Sequence, residues 1–132
     1  VAGPARRPHL DACAMTVVLI AIGAMVGAPL RYLADRAVQA LHDTVFPWGT
    51  LTVNVAGSAL LGFLSALSLG EGTMALLGTG LCGALTTYST LGYETIRLLE
   101  QRARLQAVAN AVINIMAGLG AAYLGMAVAQ AL

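Results

Sequence analysis

Four long apolar stretches divide the chain, separated by short polar segments. They cover residues 15–33, 47–69, 73–99 and 105–129. A helix needs about 20 mostly apolar residues to cross the hydrocarbon core of a bilayer, so each stretch predicts a transmembrane helix. The connections read DRAVQALHDTVF, GEG and EQRAR. Such short polar links predict that helices adjacent in sequence run antiparallel. Pro47 stands where a helix begins, a position that tolerates a missing N–H. Phe46 and Trp48 lie where an interfacial aromatic belt is expected. Residues 1–14 read as a short polar leader ahead of a four-helix membrane domain over 15–132. Arg6 and Arg7 before an apolar run imitate a signal peptide. However, the run MTVVLIAIGAMVGAPLRYL is too long for a signal core and shows no clear cleavage site before Arg31, which predicts a retained first helix.

The third stretch departs from uniform apolarity. It reads MALLGTGLCGAL, then TTYST, then LGYETIRLL. Five hydroxylated residues in a row, Thr86 to Thr90, follow Gly83 in the middle of a span, and this predicts a helix break. Non-helical backbone at membrane depth survives only where protein buries it or where it lines a cavity. Carbonyls freed there can hold a cation.

Composition sharpens the class. Hydrophobic residues make up 58% of the 132 positions and charged residues 10%, with a mean hydropathy of +0.80. A soluble domain carries about 25% charge, so this chain cannot coat itself for water, and lipid is its natural solvent. All seven basic residues are Arg, the net charge is +1, and no basic stripe of the kind nucleic acid requires is present. Arg6 and Arg7 fall on one side of the predicted membrane and Arg31, Arg36, Arg97, Arg102 and Arg104 on the other. Taken literally, that bias turns the first and third connections toward the cytoplasm, but Arg31 at a helix end makes it modest, so both orientations are expected to coexist. Cys13 and Cys82 fit neither a metal pattern nor a disulfide framework, and they read as small apolar helix residues. His9 and His42 read as solvated loop residues. Of the 15 glycines, Gly23 and Gly27, Gly78, Gly80 and Gly83, and Gly118 and Gly120 are candidates for close helix contacts. The chain is too small to enclose a conduction path easily, so these small faces are expected at contacts between subunits.

Polar residues inside the spans carry the candidate chemistry, because they are costly there. Thr50, Asn54 and Ser58 follow one another by one turn on the second helix and share a face. Asn110 and Asn114 repeat that spacing on the fourth. Thr86, Thr87, Ser89 and Thr90 come from the break. Arg31 and Glu94 lie toward helix ends. No Ser–His–Asp set, His/Glu metal cluster or phosphate loop occurs, and the chain does not read as an enzyme. Neutral amide and hydroxyl donors suit a small hydrated anion that full positive charges would trap, and the electropositive edges of aromatic rings can assist. The alternative is that these groups only hold helices together.

Three segments, GAMVGAPLRY at 23–32, WGTLTVNVAGSALLGFL at 48–64 and GLCGALTTYSTLGYE at 80–94, resemble the Fluc (CrcB) family of fluoride channels. The combination of GTLxVN with GxxTTxST is specific, and the likeness covers nearly everything after the leader. The resemblance implies an all-α dual-topology dimer of two antiparallel four-helix subunits with the third helix broken. It implies two fluoride pores and a structural sodium ion at the dimer interface, held by the backbone carbonyls of Gly83 and Thr86 from both chains. On the same ground Asn54 is the pore-lining amide, Ser89 and Thr90 sit beside the pore, Asn110 and Asn114 fall on a polar track of the fourth helix, and Arg31 stands near the vestibule. The family usually reads TTFSTF in the break. Here Tyr88 keeps a ring and Leu91 does not. Either one ring per subunit suffices or a paralogous partner supplies the other, so homodimer and heterodimer both stay open. The implied function is passive export of cytoplasmic fluoride across the inner (plasma) membrane, conferring fluoride resistance. A small multidrug-type exporter needs a membrane-embedded acid, typically in the first helix, and residues 15–33 contain none. A purely structural subunit would not need a mid-span break.

Overall fold

The computed structural model describes residues 3, 5 and 7–132, so Arg6 lies outside the described residues. Among them the chain is all helix. The elements are α1 (Pro8–Leu41), α2 (Trp48–Ala66), α3 (Glu71–Thr73), a π-helical run (Met74–Cys82), α4 (Gly83–Leu85), α5 (Ser89–Glu100) and α6 (Arg104–Ala131). α3, the π-helical run and α4 are continuous and form one half-helix over residues 71–85. The segment at 86–88 separates it from α5.

α1 is longer than the pattern predicts at both ends. It begins at Pro8 rather than near residue 15, so the second half of the expected leader is helical. Pro8 is suited to a first turn because its missing N–H is one that a helix start leaves unpaired anyway. Asp11 lies in that turn, where the helix dipole favours an acid. At the far end no breaker follows Leu33, and DRAVQAL continues as helix until His42 turns extended. The resulting 34 residues make a rod about 51 Å long, well beyond the roughly 30 Å hydrocarbon core. Three helices, α1, α2 and α6, are each long and apolar enough to cross a membrane unbroken. The third predicted span is present as two shorter halves, in agreement with the break read from TTYST. α5 closes with Arg102 in the left-handed region, φ 60°, and the Ala103 N–H on the Leu98 carbonyl at 2.8 Å, a closure that frees the chain to turn into α6.

Small residues decide which helices touch. α1 runs beside and parallel to residues 71–85, and α2 runs beside and parallel to α6. A Cβ on Gly80 would stand 3.0 Å from Gly23 Cα, and one on Gly27 would meet the Ala84 side chain at 3.0 Å. One on Gly62 would fall on the Ala122 carbonyl, and one on Gly125 on the Ala59 carbonyl. Gly23, Gly27, Gly78 and Gly80 are therefore used inside the chain, which corrects the expectation that they meet another subunit. In lipid, backbones that approach this closely gain packing that larger side chains would forbid. The π-helical run belongs to this contact: the Gly83 N–H bonds the Gly78 carbonyl five residues back. Gly83 and Gly120 have nothing near an added Cβ, and Gly118 has only the Ser58 hydroxyl, at 3.6 Å.

The surface is apolar and the interior partly polar. Met25, Met116, Leu119 and Tyr123 are each more than 60% exposed, whereas Asn110 is 0% and Thr50 1% exposed. That distribution is the inverse of a water-soluble domain and fits a multi-pass membrane protein. The aromatic belt expected at Phe46 and Trp48 is a small cluster: the Trp48 ring lies 4.7 Å from Phe46 and 5.5 Å from exposed His42, and its Nε1 donates to Thr44 Oγ1 at 3.0 Å.

Close backbone approach makes a direct prediction. Gly23→Ala and Gly62→Ala should each destabilise the protein in detergent, by about 1–3 kcal/mol, because a rigid backbone must move aside. Gly120→Ala, in an open helical position, should be neutral or stabilising by up to about 1 kcal/mol. Thermal unfolding of the three variants checks the contrast.

Candidate functional site: a neutral groove at the helix break

The site forms where the half-helix of residues 71–85 stops. The Thr86 N–H still bonds the Cys82 carbonyl at 3.0 Å, and the Thr86 backbone then turns extended, with ψ 156°. The next N–H, from Thr87, leaves the helix and donates to Asn54 Oδ1 of α2 at 2.7 Å. Helix α5 restarts with the Thr90 N–H on Thr87 Oγ1 at 3.2 Å, a hydroxyl relieving an orphan donor of the first turn. In a continuous helix the N–H groups of Thr87 and Thr90 would serve the carbonyls of Gly83 and Thr86. Both are diverted. Those two carbonyls are left without a backbone donor, and Gly83 O has only a 3.4 Å approach from the Thr86 hydroxyl.

A chain of hydrogen bonds runs from Asn54 into the protein. Asn54 Nδ2 donates to Asn114 Oδ1 at 3.0 Å. Asn114 Nδ2 donates to the backbone oxygen and Oδ1 of Asn110 at 2.8 and 2.9 Å. Asn110 Nδ2 donates to Thr95 Oγ1 at 3.0 Å, and the Thr95 hydroxyl donates to the Leu91 carbonyl at 2.8 Å. Asn54 is half-buried, and the second hydrogen on its Nδ2 has no partner among the described residues.

Three cavities follow this line of polar residues. The inner groove, about 290 Å³, is lined by Asn54, Ser58, Thr86, Thr87, Tyr88, Leu91 and Asn114 among others, with no charged side chain. A middle cavity of about 160 Å³ has Arg31, Asp35, Thr50, Thr87 and Thr90 in its wall. A wide mouth of about 630 Å³ at the end of α1 and α5 is lined by Asp35, Gln39, Asp43, Glu94, Arg97 and Gln101. Asp35 borders both mouth and middle cavity, and Thr87 borders both middle cavity and groove.

The predicted residues distribute unevenly. Asn54, Tyr88, Leu91 and Asn114 meet at the groove. Thr90 and half-buried Arg31 stand at the middle cavity. Tyr88 is 88% exposed and turns away from the body of the chain. Ser89 is exposed and borders none of the three spaces. Asn110 is sealed inside the protein and stands behind the groove wall, not on it, because its amide is held by Thr95 and Asn114. Among the described residues no group of His, Cys, Asp and Glu could hold a metal, so any cation at the break would depend on backbone oxygens. Sequence reasoning missed the pairing of Thr50 with Glu94, at 2.9 Å between hydroxyl and carboxylate. It also missed Thr95 and the acidic mouth. Thr50 was legible as a partner, since it lies one turn before Asn54. Asp35 was hidden by an underestimate of the length of α1.

This arrangement defines a small multi-pass helical membrane protein with an uncharged groove beside a broken helix. The chain belongs to the CrcB family: residues 18–126 match the model of the CrcB-like protein, Camphor Resistance (CrcB) family. A relative from Streptomyces avermitilis, named fluoride-specific ion channel FluC 1, is 57% identical over 122 residues, covering 89% of this chain and 98% of its own. One of the same name from Frankia casuarinae is 54% identical with the same coverage. The Mycobacterium tuberculosis relative, fluoride-specific ion channel FluC 2, is 46% identical over 125 residues, covering 92% of this chain and 99% of its own.

The Thr50–Glu94 contact can be tested for its structural weight. Glu94 Oε2 is buried with no partner among the described residues, where the Thr50 hydroxyl is the one side-chain donor to this carboxylate. Thr50→Val should destabilise by about 1–3 kcal/mol, the cost of leaving such a group unsatisfied. Thr50→Ser should stay near wild type in the same thermal unfolding measurement.

Proposed function

We propose that this chain is one subunit of a dual-topology dimer that conducts fluoride passively out of the cell across the inner (plasma) membrane. The observation that carries the reading is the groove: amide and hydroxyl groups share its wall with Leu61, Leu91 and Ile115, no formal charge lines it, and Asn54 keeps one N–H free there. A small anion needs donors that replace its water, and neutral donors do so without trapping it. The names of the relatives agree with this chemistry. Such a channel is not an enzyme and needs no fuel, since a negative interior drives each anion outward with about 2.3 kcal/mol per 100 mV.

The antiparallel dimer brings two breaks together on a twofold axis. The carbonyls of Gly83 and Thr86 from each chain then hold one sodium ion. The residues fit it in that their helical donors are diverted and that hard cations take oxygen ligands. The ion supplies fixed positive potential and braces the two breaks. A heterodimer is a second reading, favoured by Leu91. It lines the groove where the family has a ring, so a paralogous partner would restore the missing aromatic edge.

Two measurements test this function. Purified chain in liposomes should release fluoride and retain chloride, and Asn54→Asp, which sets a negative charge in the path, should abolish fluoride release while the dimer still forms. Flux near wild type in Asn54→Asp would remove Asn54 from the path. For topology, a single cysteine placed in the 42–47 loop, on a background lacking Cys13 and Cys82, should react with impermeant reagent from both membrane faces. Reaction from one face alone would assign a fixed orientation and a separate, oppositely inserted partner.

A further inference from the structure

We propose that Asn110 and Thr95, neither of which borders the groove, are positioning residues that brace the Asn54 amide from behind and keep its free N–H aimed at the anion. The inference rests on the reading of Asn54 as a pore residue. The amide of an Asn can turn over, exchanging oxygen for nitrogen, and only one of the two orientations presents a donor. Here the choice is fixed from both ends by groups that cannot reverse. At one end the Thr87 backbone N–H can only donate, so the atom 2.7 Å away must be Asn54 oxygen. At the other end the Leu91 carbonyl can only accept, so the single hydroxyl proton of Thr95 is committed to it at 2.8 Å. Thr95 Oγ1 can then only accept from Asn110, which turns Asn110 nitrogen toward it at 3.0 Å and leaves Asn110 Oδ1 to receive Asn114. Asn114 nitrogen faces both the backbone oxygen and Oδ1 of Asn110, at 2.8 and 2.9 Å, and its oxygen faces Asn54 Nδ2 at 3.0 Å. That leaves the remaining N–H of Asn54, at the groove wall, without a partner among the described residues. The middle of the run is buried, with Asn110 0% and Asn114 4% exposed between half-buried Thr95 and Asn54, and low polarity there strengthens each link.

If Thr95 loses its oxygen, Asn110 can turn over. Its NH2 group then faces that of Asn114, whose nitrogen stays on the Asn110 backbone oxygen at 2.8 Å, so Asn114 is pushed off line and Asn54, still tied to the Thr87 N–H, loses the brace on its Nδ2. Thr95→Val should lower fluoride flux in liposomes about fivefold, the factor matching one hydrogen bond of ordinary net strength. Thr95→Ser, which keeps the hydroxyl, should conduct like wild type. In an Asn54→Ala background the same Thr95→Val change should have no further effect, because the group it acts through is gone. A fivefold loss that persists in that background overturns the proposal and leaves Thr95 as a packing residue. Wild-type flux in Asn54→Ala itself removes Asn54 from the path, and the positioning role falls with that reading. A second readout does not depend on conduction. In protein labelled with 15N at Asn, Thr95→Val should shift the side-chain amide resonances of Asn54, which Thr95 does not touch. Unshifted Asn54 resonances would overturn the proposal even where Asn54→Ala conducts too little for a ratio.

Discussion

The hydrogen bond from the Thr87 N–H to Asn54 Oδ1 is the constraint on which the rest of this molecule depends. A helix that stops at membrane depth exposes donors and acceptors to a solvent that cannot satisfy them, at several kcal/mol for each group. The break at residues 86–88 is tolerable because a side chain on a neighbouring helix takes the first freed N–H and the Thr87 hydroxyl takes another. The same two bonds draw away the donors that Gly83 and Thr86 would otherwise receive. One interaction thus ends a helix, fixes the position of α2 against the break and leaves the Gly83 carbonyl without its helical donor. It also orients the amide that borders the groove.

That bond can form at 2.7 Å only if the helices stand very close, and the glycines provide this. Gly57 lies against the Thr86 side chain, Gly27 against Leu81 and Ala84, and Gly62 against Ala122. Lipid gives no hydrophobic push between helices, so contact area and polar links must hold them. The large apolar side chains are displaced to the outside, where Met25 and Leu119 meet lipid or another subunit, while Thr50 and Asn110 occupy the centre.

Much of this was legible in the sequence because membrane spans leave strong marks. The apolar lengths foretold three unbroken helices and a fourth span interrupted at TTYST, and the spacing of Thr50, Asn54 and Ser58 placed them on one face. What stayed hidden has physical reasons. The early start of α1 at Pro8 rests on a capping preference that the polar letters of PHLDACA mask, and its late end at Leu41 reflects the absence of any breaker in DRAVQA. The glycines advertise close contact but not its address, since a small face fits a neighbour in the same chain as readily as one in another. The partner of Asn54 is a backbone N–H, which no residue type announces.

Two readings of the buried polar residues looked like rivals in the sequence, adhesion between helices and contact with an anion. Counting hydrogens removes the rivalry. Asn110 is sealed from all solvent, and its amide links α6 to α5 through Thr95. Asn114 borders the groove, yet its nitrogen is engaged by both oxygens of Asn110 and its oxygen by Asn54. Those two asparagines hold helices together. Asn54 uses its oxygen and one hydrogen in the same way and has one hydrogen left over. The Thr87 N–H and Asn114 together hold the direction of that leftover donor, so adhesion between helices and the groove wall are successive links of one chain. A polar side chain supported this way needs no charge to stay ordered, which lets the groove remain neutral while the charged side chains, Asp35, Asp43, Glu94 and Arg97, stand at the mouth.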